Sequence, residues 1–265
     1  MNSTSGMSKH AVTIHRVAPT QWHAVEDDLT VGRGHTSRRP DGRMFLSIDA
    51  WHDAAFDRLA AAMLADLPRP LFTVVDEPDL DLASRWERAG FTIRRREWEC
   101  LVPTDPRVTG LGTALPPSDV TIVPVGRAQE GPLRTLDRVI RDEVEATIGW
   151  REMPAEVPPR PDGVAAMNPS EYAVAVRADA YVGMVRVTTA ARRPQCRRIG
   201  LIATRAGQRR RGIARALLAH VLGSLHRCGI ETASADVNES NTAAVALIEG
   251  IGARRVNSNL EWVLR

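Results

Sequence analysis

Residues 199–222 read IGLIATRAGQRRRGIARALLAHVL, and this stretch decides the fold of the second half of the chain. An apolar run typical of a strand is followed by three consecutive arginines, then by Gly212 and a helical pattern. A helix start exposes unpaired backbone N–H groups and the positive end of the helix dipole, which suits a phosphate. Gly212 lets the backbone approach a ligand without a Cβ in the way. The stretch therefore predicts either an anion site or a solvated basic helix start.

The composition is that of a globular protein and argues against several other classes. The 265 residues are 43% hydrophobic and 25% charged, with a net charge of +3, an excess too small to require nucleic acid. Cys100, Cys196 and Cys228 are far apart, and no spacing of cysteine and histidine suits zinc. No apolar run reaches membrane-spanning length, and the first residues lack the apolar core of a signal peptide. We expect a cytoplasmic monomer or homodimer that binds no metal, membrane or nucleic acid.

The chain divides at a stretch rich in Gly, Pro, Thr and Asp, residues 104–119, which is predicted to be an interdomain linker. Residues 1–11 are predicted to be a disordered tail, residues 12–103 a first domain and residues 120–265 a second. In the second domain the predicted element order is β-α-β-β-β-α-β-α-β. That order indicates a mixed α/β sheet with helices packed on its faces.

The first domain repeats the end of this pattern. A shift of 162 positions brings Val75 onto Val237, Glu87 onto Glu249 and Gly90 onto Gly252 without a gap. Helices and strands coincide as well, so we interpret the chain as a tandem pair of related domains, the alternative being chance agreement between common α/β units.

The segment IATRAGQRRRGIARALL resembles the acyl-CoA-binding segment of the GNAT superfamily of N-acetyltransferases. That segment carries [RQ]-x-x-G-x-[GA] between a strand and a helix, and Arg209, Gly212 and Ala214 occupy the three fixed places. A later stretch, VNESNTAAVALIEGIGA, is similar to the family's N-x-x-A-x-x-L helix, with Asn241 at its first place. The resemblance implies a GNAT-like mixed, mostly antiparallel central sheet flanked by helices, present as two tandem domains.

The resemblance also implies where acetyl-CoA binds. Backbone amides of residues 209–214 would hold the pyrophosphate, with the arginine side chains near its phosphates. The strand edge would hydrogen-bond the pantetheine arm, and Asn241 would support the arm from the opposite side. The cofactor-binding candidates are Ile202, Ala203, Thr204, Arg209, Arg210, Arg211, Gly212, Ile213, Ala214 and Asn241.

The residues that would move protons are less defined. Relatives often have a tyrosine as general acid, but Ile248 stands in that place and cannot donate a proton. Ser240 is a candidate source of the proton for the departing thiolate, with another side chain or water as alternatives. Glu171, Asp236 and Glu239 are candidate bases, acting directly or through water, or else ordinary surface or loop carboxylates.

Two further features concern the acceptor and the first domain. Asp142, Glu143 and Glu145 would form an acidic rim at the acceptor cleft, or a solvated helix face. Residues 156–163, EVPPRPDG, are a candidate acceptor loop. The first domain has no phosphate loop before its helix, and its glycine-rich stretch at residues 32–43 is interpreted as a turn, so we expect a degenerate copy.

These observations predict an N-acetyltransferase that moves an acetyl group from acetyl-CoA to a primary amine of a small molecule or peptide by direct attack. Without a tyrosine at the position of Ile248, a catalytically idle acyl-CoA-binding or regulatory protein is the alternative.

Overall fold

The computed structural model describes residues 11–39, 41–147, 167–190 and 193–265. The predicted tail up to residue 10 and the candidate acceptor loop at residues 156–163 lie outside these ranges. The chain forms two compact units. Unit 1 comprises Met1–Arg94 together with Leu260–Arg265, and unit 2 comprises Arg95–Asn259.

Unit 1 begins with four antiparallel strands in chain order. They are β1 (Thr13–Ala18), β2 (Gln21–Glu26), β3 (Leu29–Arg38) and β4 (Met44–Ala50), followed by helix α1 (Asp53–Asp66), strand β5 (Leu71–Asp76) and helix α2 (Leu80–Arg88). β5 pairs with β4 in the parallel direction. The core of the unit includes Trp22, Phe56 and Trp86, and it is completed by Leu260, Trp262 and Leu264 from the C-terminus of the chain.

The glycine-rich stretch predicted as a turn is mostly strand β3. Gly34 lies under α1, and a Cβ built on it would come within 2.4 Å of the Met63 sulfur atom. Gly32 is equally close-packed, with a Cβ position 2.9 Å from Leu59. The glycines are therefore explained by the close approach of a helix to the sheet, which strand glycines often mark.

Unit 2 has the element order predicted for the second domain, preceded by one strand from the first half. The elements are β6 (Thr92–Pro103), α3 (Pro106–Thr109), β7 (Thr121–Val123), α4 (Glu130–Glu145), β8 (Tyr172–Arg177), β9 (Ala180–Ala190), β10 (Arg193–Thr204), α5 (Ile213–Arg227), β11 (Thr232–Asn238), α6 (Thr242–Glu249) and β12 (Arg254–Leu264). Within the unit the strand order is β6-β11-β10-β9-β8-β7. Only β10 and β11 are parallel among its paired strands for which a register is given.

The unit boundaries differ from the predicted domain boundaries at three places. Residues 95–103 of β6 lie in unit 2 because they pair with β11, and residues 260–265 lie in unit 1. The stretch predicted as a linker contains α3, and Leu111 within it is buried in the core of unit 2. Its burial explains why residues 104–119 are part of a packed unit although their composition is that of a loop.

The 162-residue repeat is seen in the structure at α2 and α6, which are the equivalent helices of the two copies. Asp79 caps α2 by accepting a hydrogen bond from the N–H of Leu82, and Asn241 caps α6 by accepting one from the N–H of Ala244. Gly90 and Gly252, which follow these helices, both have positive φ, +91° and +78°. Cap, helix and glycine therefore recur together, as expected of related units.

No helix within the described ranges is both long enough and apolar enough to cross a lipid bilayer.

Candidate functional site

Strands β10 and β11 separate beyond Ile199, at the segment that the resemblance assigns to the pantetheine arm. Their parallel pairing is limited to Arg197–Ile199 against residues 233–235. On its other side β10 stays paired with β9 as far as Thr204, and the register shifts between Ile199 and Leu201, which makes a bulge at Gly200. From Gly200 to Thr204, one edge of β10 is therefore without a strand partner in the described part of the chain.

The direction of the backbone groups on this edge follows from one hydrogen bond. The N–H of Arg205 donates to the carbonyl of Val182 on β9 at 3.0 Å. Backbone groups alternate in direction along a strand, so Ala203 also faces β9, whereas Ile202 and Thr204 face the opening. Of the three strand residues predicted to bind the pantetheine arm, Ile202 and Thr204 thus direct their N–H groups to the opening, where the Thr204 carbonyl accepts from Arg209 Nε.

Thr204 carries a further polar group at this edge. Its Oγ1 atom is buried and has no hydrogen-bond partner among the described residues. Buried hydroxyls are nearly always hydrogen-bonded, so an unpaired one beside an open strand edge fits a site that a polar ligand completes. The side chains of Ile202 and Ala203 pack into two different clusters and present no such group.

The loop after β10 ends at an N-terminus of α5 that no side chain caps. Gly212 is the N-cap residue with φ of +83°, and the first hydrogen bond of the helix runs from the N–H of Ala216 to the Gly212 carbonyl at 3.0 Å. The N–H groups of residues 213–215 therefore precede the helical ladder, and a Cβ on Gly212 would have no atom within 4 Å. This end of α5 can accept an anion.

The three arginines of the loop differ in their partners. Arg209 donates from Nε to the Thr204 carbonyl at 3.3 Å, and its Nη2 lies 3.9 Å from Glu143 Oε2. Arg211 donates to Gln208 Oε1 at 3.1 Å, and its Nη2 lies 3.7 Å from Asp119. The side chain of Arg210 forms no hydrogen bond or ion pair with a described residue, and its φ is +62°, which is rare outside glycine.

A second arginine supports Arg211 from β8. Arg177 donates from Nε to Asp119 Oδ2 at 2.6 Å and from Nη1 to Gln208 Oε1 at 3.3 Å. The Arg177 guanidinium lowers the pKa of the Asp119 carboxyl below its usual value. Asp119 and Gln208 thus tie the loop to β8 at the position of Arg211.

The two candidate bases lie on either side of Gly200. Glu171 accepts from Arg186 Nε at 2.7 Å, and Asp236 accepts from Arg198 Nε at 2.7 Å. A Cβ built on Gly200 would lie 3.7 Å from Arg198 Nη1 and 4.0 Å from Arg186 Cδ. The fold therefore brings both carboxylates, each paired with an arginine, to the point where β10 and β11 begin to separate.

The two candidates after β11 are held by local hydrogen bonds. The Ser240 hydroxyl donates to Asn238 Oδ1 at 2.9 Å. Asn241 uses its side-chain oxygen on the N–H of Ala244 at 3.1 Å, so the amide nitrogen is the group left for a ligand. Ser240 is exposed and Asn241 half-buried.

No tyrosine replaces the missing one at the end of α6. Ile248 is only 3% exposed and packs in the core of unit 2. Tyr172 is buried on the face of the sheet that α4 covers, and burial raises the pKa of its phenol. The hydroxyl of Tyr181 accepts a hydrogen bond from the N–H of Gln129, which caps α4.

The predicted acidic rim is divided by the structure. Asp142 and Glu145 are exposed on α4. Glu143 points instead to the arginine loop, where its Oε2 atom accepts from the N–H of Ala206 at 2.6 Å. Two of the three carboxylates therefore remain available for an acceptor, and the third belongs to the loop.

Unit 1 has the same strand separation, but the equivalent helix start is closed. β4 and β5 pair at only two positions, and the Thr73 hydroxyl then bridges them by donating to the Leu46 carbonyl at 2.9 Å. At α1 the His52 side chain caps the N–H of Ala55, and Asp53 adds a negative charge in the first turn. A side-chain cap and an acidic residue both oppose phosphate binding.

Sequence reasoning did not select Arg186, Arg198, Asp119 or Arg177. Arg186 interrupts the apolar strand YVGMVRVTT, and a charged residue in such a strand could have indicated a functional site. The partners of all four are 15 to 58 residues away along the chain, which no local pattern indicates.

No group of three or more metal-binding side chains is found in the described ranges.

Unit 2 thus combines a parallel strand pair that opens beyond Ile199 with a helix start that no side chain caps. Residues 138–253 match the model of the Acetyltransferase (GNAT) family. These residues lie in unit 2, which therefore contains a GNAT acetyltransferase domain. No curated protein matches the sequence significantly.

Solved structures with the same fold extend over nearly the whole chain. A GCN5-related N-acetyltransferase from Sphaerobacter thermophilus is 16% identical with a TM-score of 0.60, over 94% of this chain and 82% of that one. A tandem GNAT protein from the clavulanic acid biosynthesis pathway is 15% identical with a TM-score of 0.63, over 92% and 82%. A GNAT-family acetyltransferase from Colwellia psychrerythraea is 12% identical with a TM-score of 0.57, over 92% and 85%. At these identities the likeness concerns the fold, and it confirms the tandem α/β architecture.

Proposed function

We propose that the protein is an N-acetyltransferase that moves an acetyl group from acetyl-CoA to a primary amine of a small molecule or peptide. One observation carries the proposal. The open edge of β10 leads directly into the uncapped N-terminus of α5, so a hydrogen-bonding strand edge and an anion site are continuous. A pantetheine arm attached to a diphosphate needs this combination.

The residues that would hold the donor fall into two groups. The arm would be bound by the outward backbone groups of Ile202, the N–H and hydroxyl of Thr204 and the amide nitrogen of Asn241. The N–H groups of residues 210–214 and the arginine side chains would bind the phosphates, whereas the N–H of Arg209, also predicted to do so, donates to the Ala206 carbonyl. Gly212 leaves the space that a phosphate needs, because no atom lies within 4 Å of its Cβ position.

Bound acetyl-CoA supplies the thioester carbonyl and the sulfur leaving group. Asp236 or Glu171 would accept the proton of the amine, directly or through water, since both lie at the start of the opening. The N–H of Ile202 or Thr204, which face the opening, would polarise the carbonyl. Ser240 or water would provide a proton for the sulfur. Positioning of the two substrates would contribute much of the rate.

Unit 1 fits a degenerate copy that binds no second acetyl-CoA. Its helix start carries the His52 cap and the acidic Asp53, in contrast to the uncapped Gly212. A single high-affinity donor site per chain is therefore expected.

One observation favours a second candidate function, an idle acyl-CoA-binding or regulatory protein. Ile248 is packed in the core at the place where relatives often have a proton-donating tyrosine. The arrangement for donor binding is independent of this residue, so binding without turnover is the specific expectation of that alternative.

Calorimetric titration with acetyl-CoA, followed by an assay of CoA release with a panel of amines, tests both functions. Absence of binding would contradict both, and binding without turnover on a broad panel would favour the idle protein. Arg209→Glu combined with Gly212→Val should abolish binding. Gly110→Val is the matched control for the glycine, because Gly110 also has positive φ, +63°, and no atom within 4 Å of its Cβ position.

A further inference from the structure

We propose that the acceptor is a zwitterion, an amine with a carboxylate close to it, as in an amino acid. The inference rests on the proposed acetyl transfer and names the class of its second substrate. It is carried by the two arginine–carboxylate pairs on either side of Gly200, Arg186 with Glu171 and Arg198 with Asp236.

Both arginines point to the same face of the sheet. Arg186 lies on β9 two residues from Met184, whose side chain packs on the α4 face, and Arg198 pairs in register with Thr188, two residues beyond Arg186. Side chains two residues apart on a strand share a face, and so do directly paired residues. The face is the one that carries Asp236, and the two guanidinium groups therefore flank Gly200 together.

The hydrogen bonds of these guanidinium groups leave their terminal nitrogens open. Each group uses Nε to donate to its carboxylate, at 2.7 Å in both pairs. The Nη1 and Nη2 atoms of Arg186 and Arg198 have no hydrogen-bond partner within the described part of the chain. Their side chains are 32% and 27% exposed, so a ligand at Gly200 can reach these nitrogens. Open guanidinium donors in pairs are the groups that bind a carboxylate most specifically.

The charges around Gly200 also favour a zwitterion over a simple cation. Each guanidinium group is already paired with one carboxylate, so a polyamine would leave the open Nη atoms without an anionic partner. A zwitterion provides one, because its ammonium group lies against Asp236 or Glu171 and its carboxylate against the open Nη atoms.

The transfer of an acetyl group to such an acceptor needs no further reactant. The ammonium group first loses one proton to a carboxylate, which passes it to solvent. The neutral amine then forms a bond to the carbonyl carbon, the carbon–sulfur bond breaks, and the second N–H proton is transferred to the sulfur. Two N–H bonds and one C–S bond are thus replaced by one N–C bond and one S–H bond, and one proton is released to solvent.

The test compares amino acids with their own amides, which keep the amine and side chain but lack the carboxylate. We expect kcat/KM to be at least about tenfold higher for an acid than for its amide, because an open charged donor pair without its partner loses a strong interaction. Arg186→Gln and Arg198→Gln should reduce this ratio towards one. Arg127→Gln, which removes an exposed arginine shortly after β7, should leave the ratio unchanged. The ratio is measured within each variant, so a lower folded fraction does not affect it.

A binding measurement makes the outcome independent of turnover. Amino acids and their amides are titrated into the protein saturated with CoA, and the acids should bind more tightly. If acetyl-CoA binds but amides or polyamines are acetylated or bound as well as the acids, this inference is overturned and the proposed function stands. If acetyl-CoA itself does not bind, the proposed function fails.

Discussion

The Glu143 carboxylate on α4 accepts a hydrogen bond from the backbone N–H of Ala206 at 2.6 Å. The same oxygen lies 3.9 Å from a guanidinium nitrogen of Arg209. A carboxylate therefore already lies at the start of the loop that we assign to the phosphates of the donor. It connects α4 to this loop and offsets part of the loop's positive charge.

Replacing Glu143 by glutamine should tighten the binding of acetyl-CoA by about threefold, since an exposed ion pair of this kind contributes up to about 1 kcal/mol. The amide oxygen can still accept from Ala206, so the loop keeps its hydrogen bond. Calorimetry at low and high salt measures the effect, which should decrease as salt screens it. Glu145→Gln, on an exposed part of the same helix, is the control. Weaker binding by E143Q would mean that the charge supports the loop conformation.

Arg210 should contribute more to donor binding than Arg211. Its guanidinium has no partner to give up among the described residues, whereas Arg211 is already bonded to Gln208 and close to Asp119. Arg210→Gln should weaken acetyl-CoA binding about tenfold, the effect of losing one charge-assisted hydrogen bond, with an unchanged melting temperature. Arg211→Gln should lower the melting temperature and affect binding less. If Arg211→Gln weakened acetyl-CoA binding more than Arg210→Gln, the roles assigned to the two arginines would be contradicted.

Asp119 should make the stability of the protein depend on pH. Its pKa is lowered from 3.8 chiefly by the hydrogen bond from Arg177, so the folded state favours the charged carboxylate. The resulting stabilisation is complete above about pH 5 and is lost as the pH falls through and below 3.8. Asp119→Asn should therefore melt at a lower temperature than the wild type at pH 7, and this difference should disappear on acidification. Asp142→Asn, which removes an exposed carboxylate on α4, is the control for the change of charge.

Gly34 should be required for the packing of unit 1. A Cβ at this position comes within 2.4 Å of the sulfur atom of Met63, whose side chain is fully buried and would have to shift. Gly34→Ala should destabilise the protein by about 1–3 kcal/mol, the usual cost of overpacking. Gly131→Ala, at a helix start with no atom within 4 Å, should be neutral or stabilising. Urea unfolding of both variants gives the comparison, and equal midpoints would contradict the interpretation of β3.

Two features of the fold could be predicted from the sequence because they depend on residues that are close together in the chain. The strand, loop and helix of residues 199–222 follow from apolar periodicity and from Gly212. The 162-residue repeat was detectable because both copies keep residues such as Val75 and Val237 and the glycine with positive φ, at Gly90 and Gly252. Caps and positive φ impose local chemistry that the sequence has to keep.

Other features were misread because a distant segment decides them. The glycines of β3 have the composition of a turn, but α1 packs against them. Leu111 lies in a stretch with the composition of a linker, yet its side chain is buried in the core of unit 2. In both cases local propensity was overruled by packing, which stabilises a short segment more than its own sequence does.

The sequence by itself determined the α/β class, the tandem arrangement and the arginine loop at the start of α5, since each depends on residue types at short spacing. Only the tertiary structure decided which carboxylate meets which arginine, because Asp236 and Arg198 are 38 residues apart and meet through the pairing of β10 with β11. The tertiary structure also decided where β10 and β11 separate, because their pairing ends at Ile199. Charge pairs and strand openings form only where distant segments of the chain come together. The candidate acceptor site could therefore be recognised only from the tertiary structure.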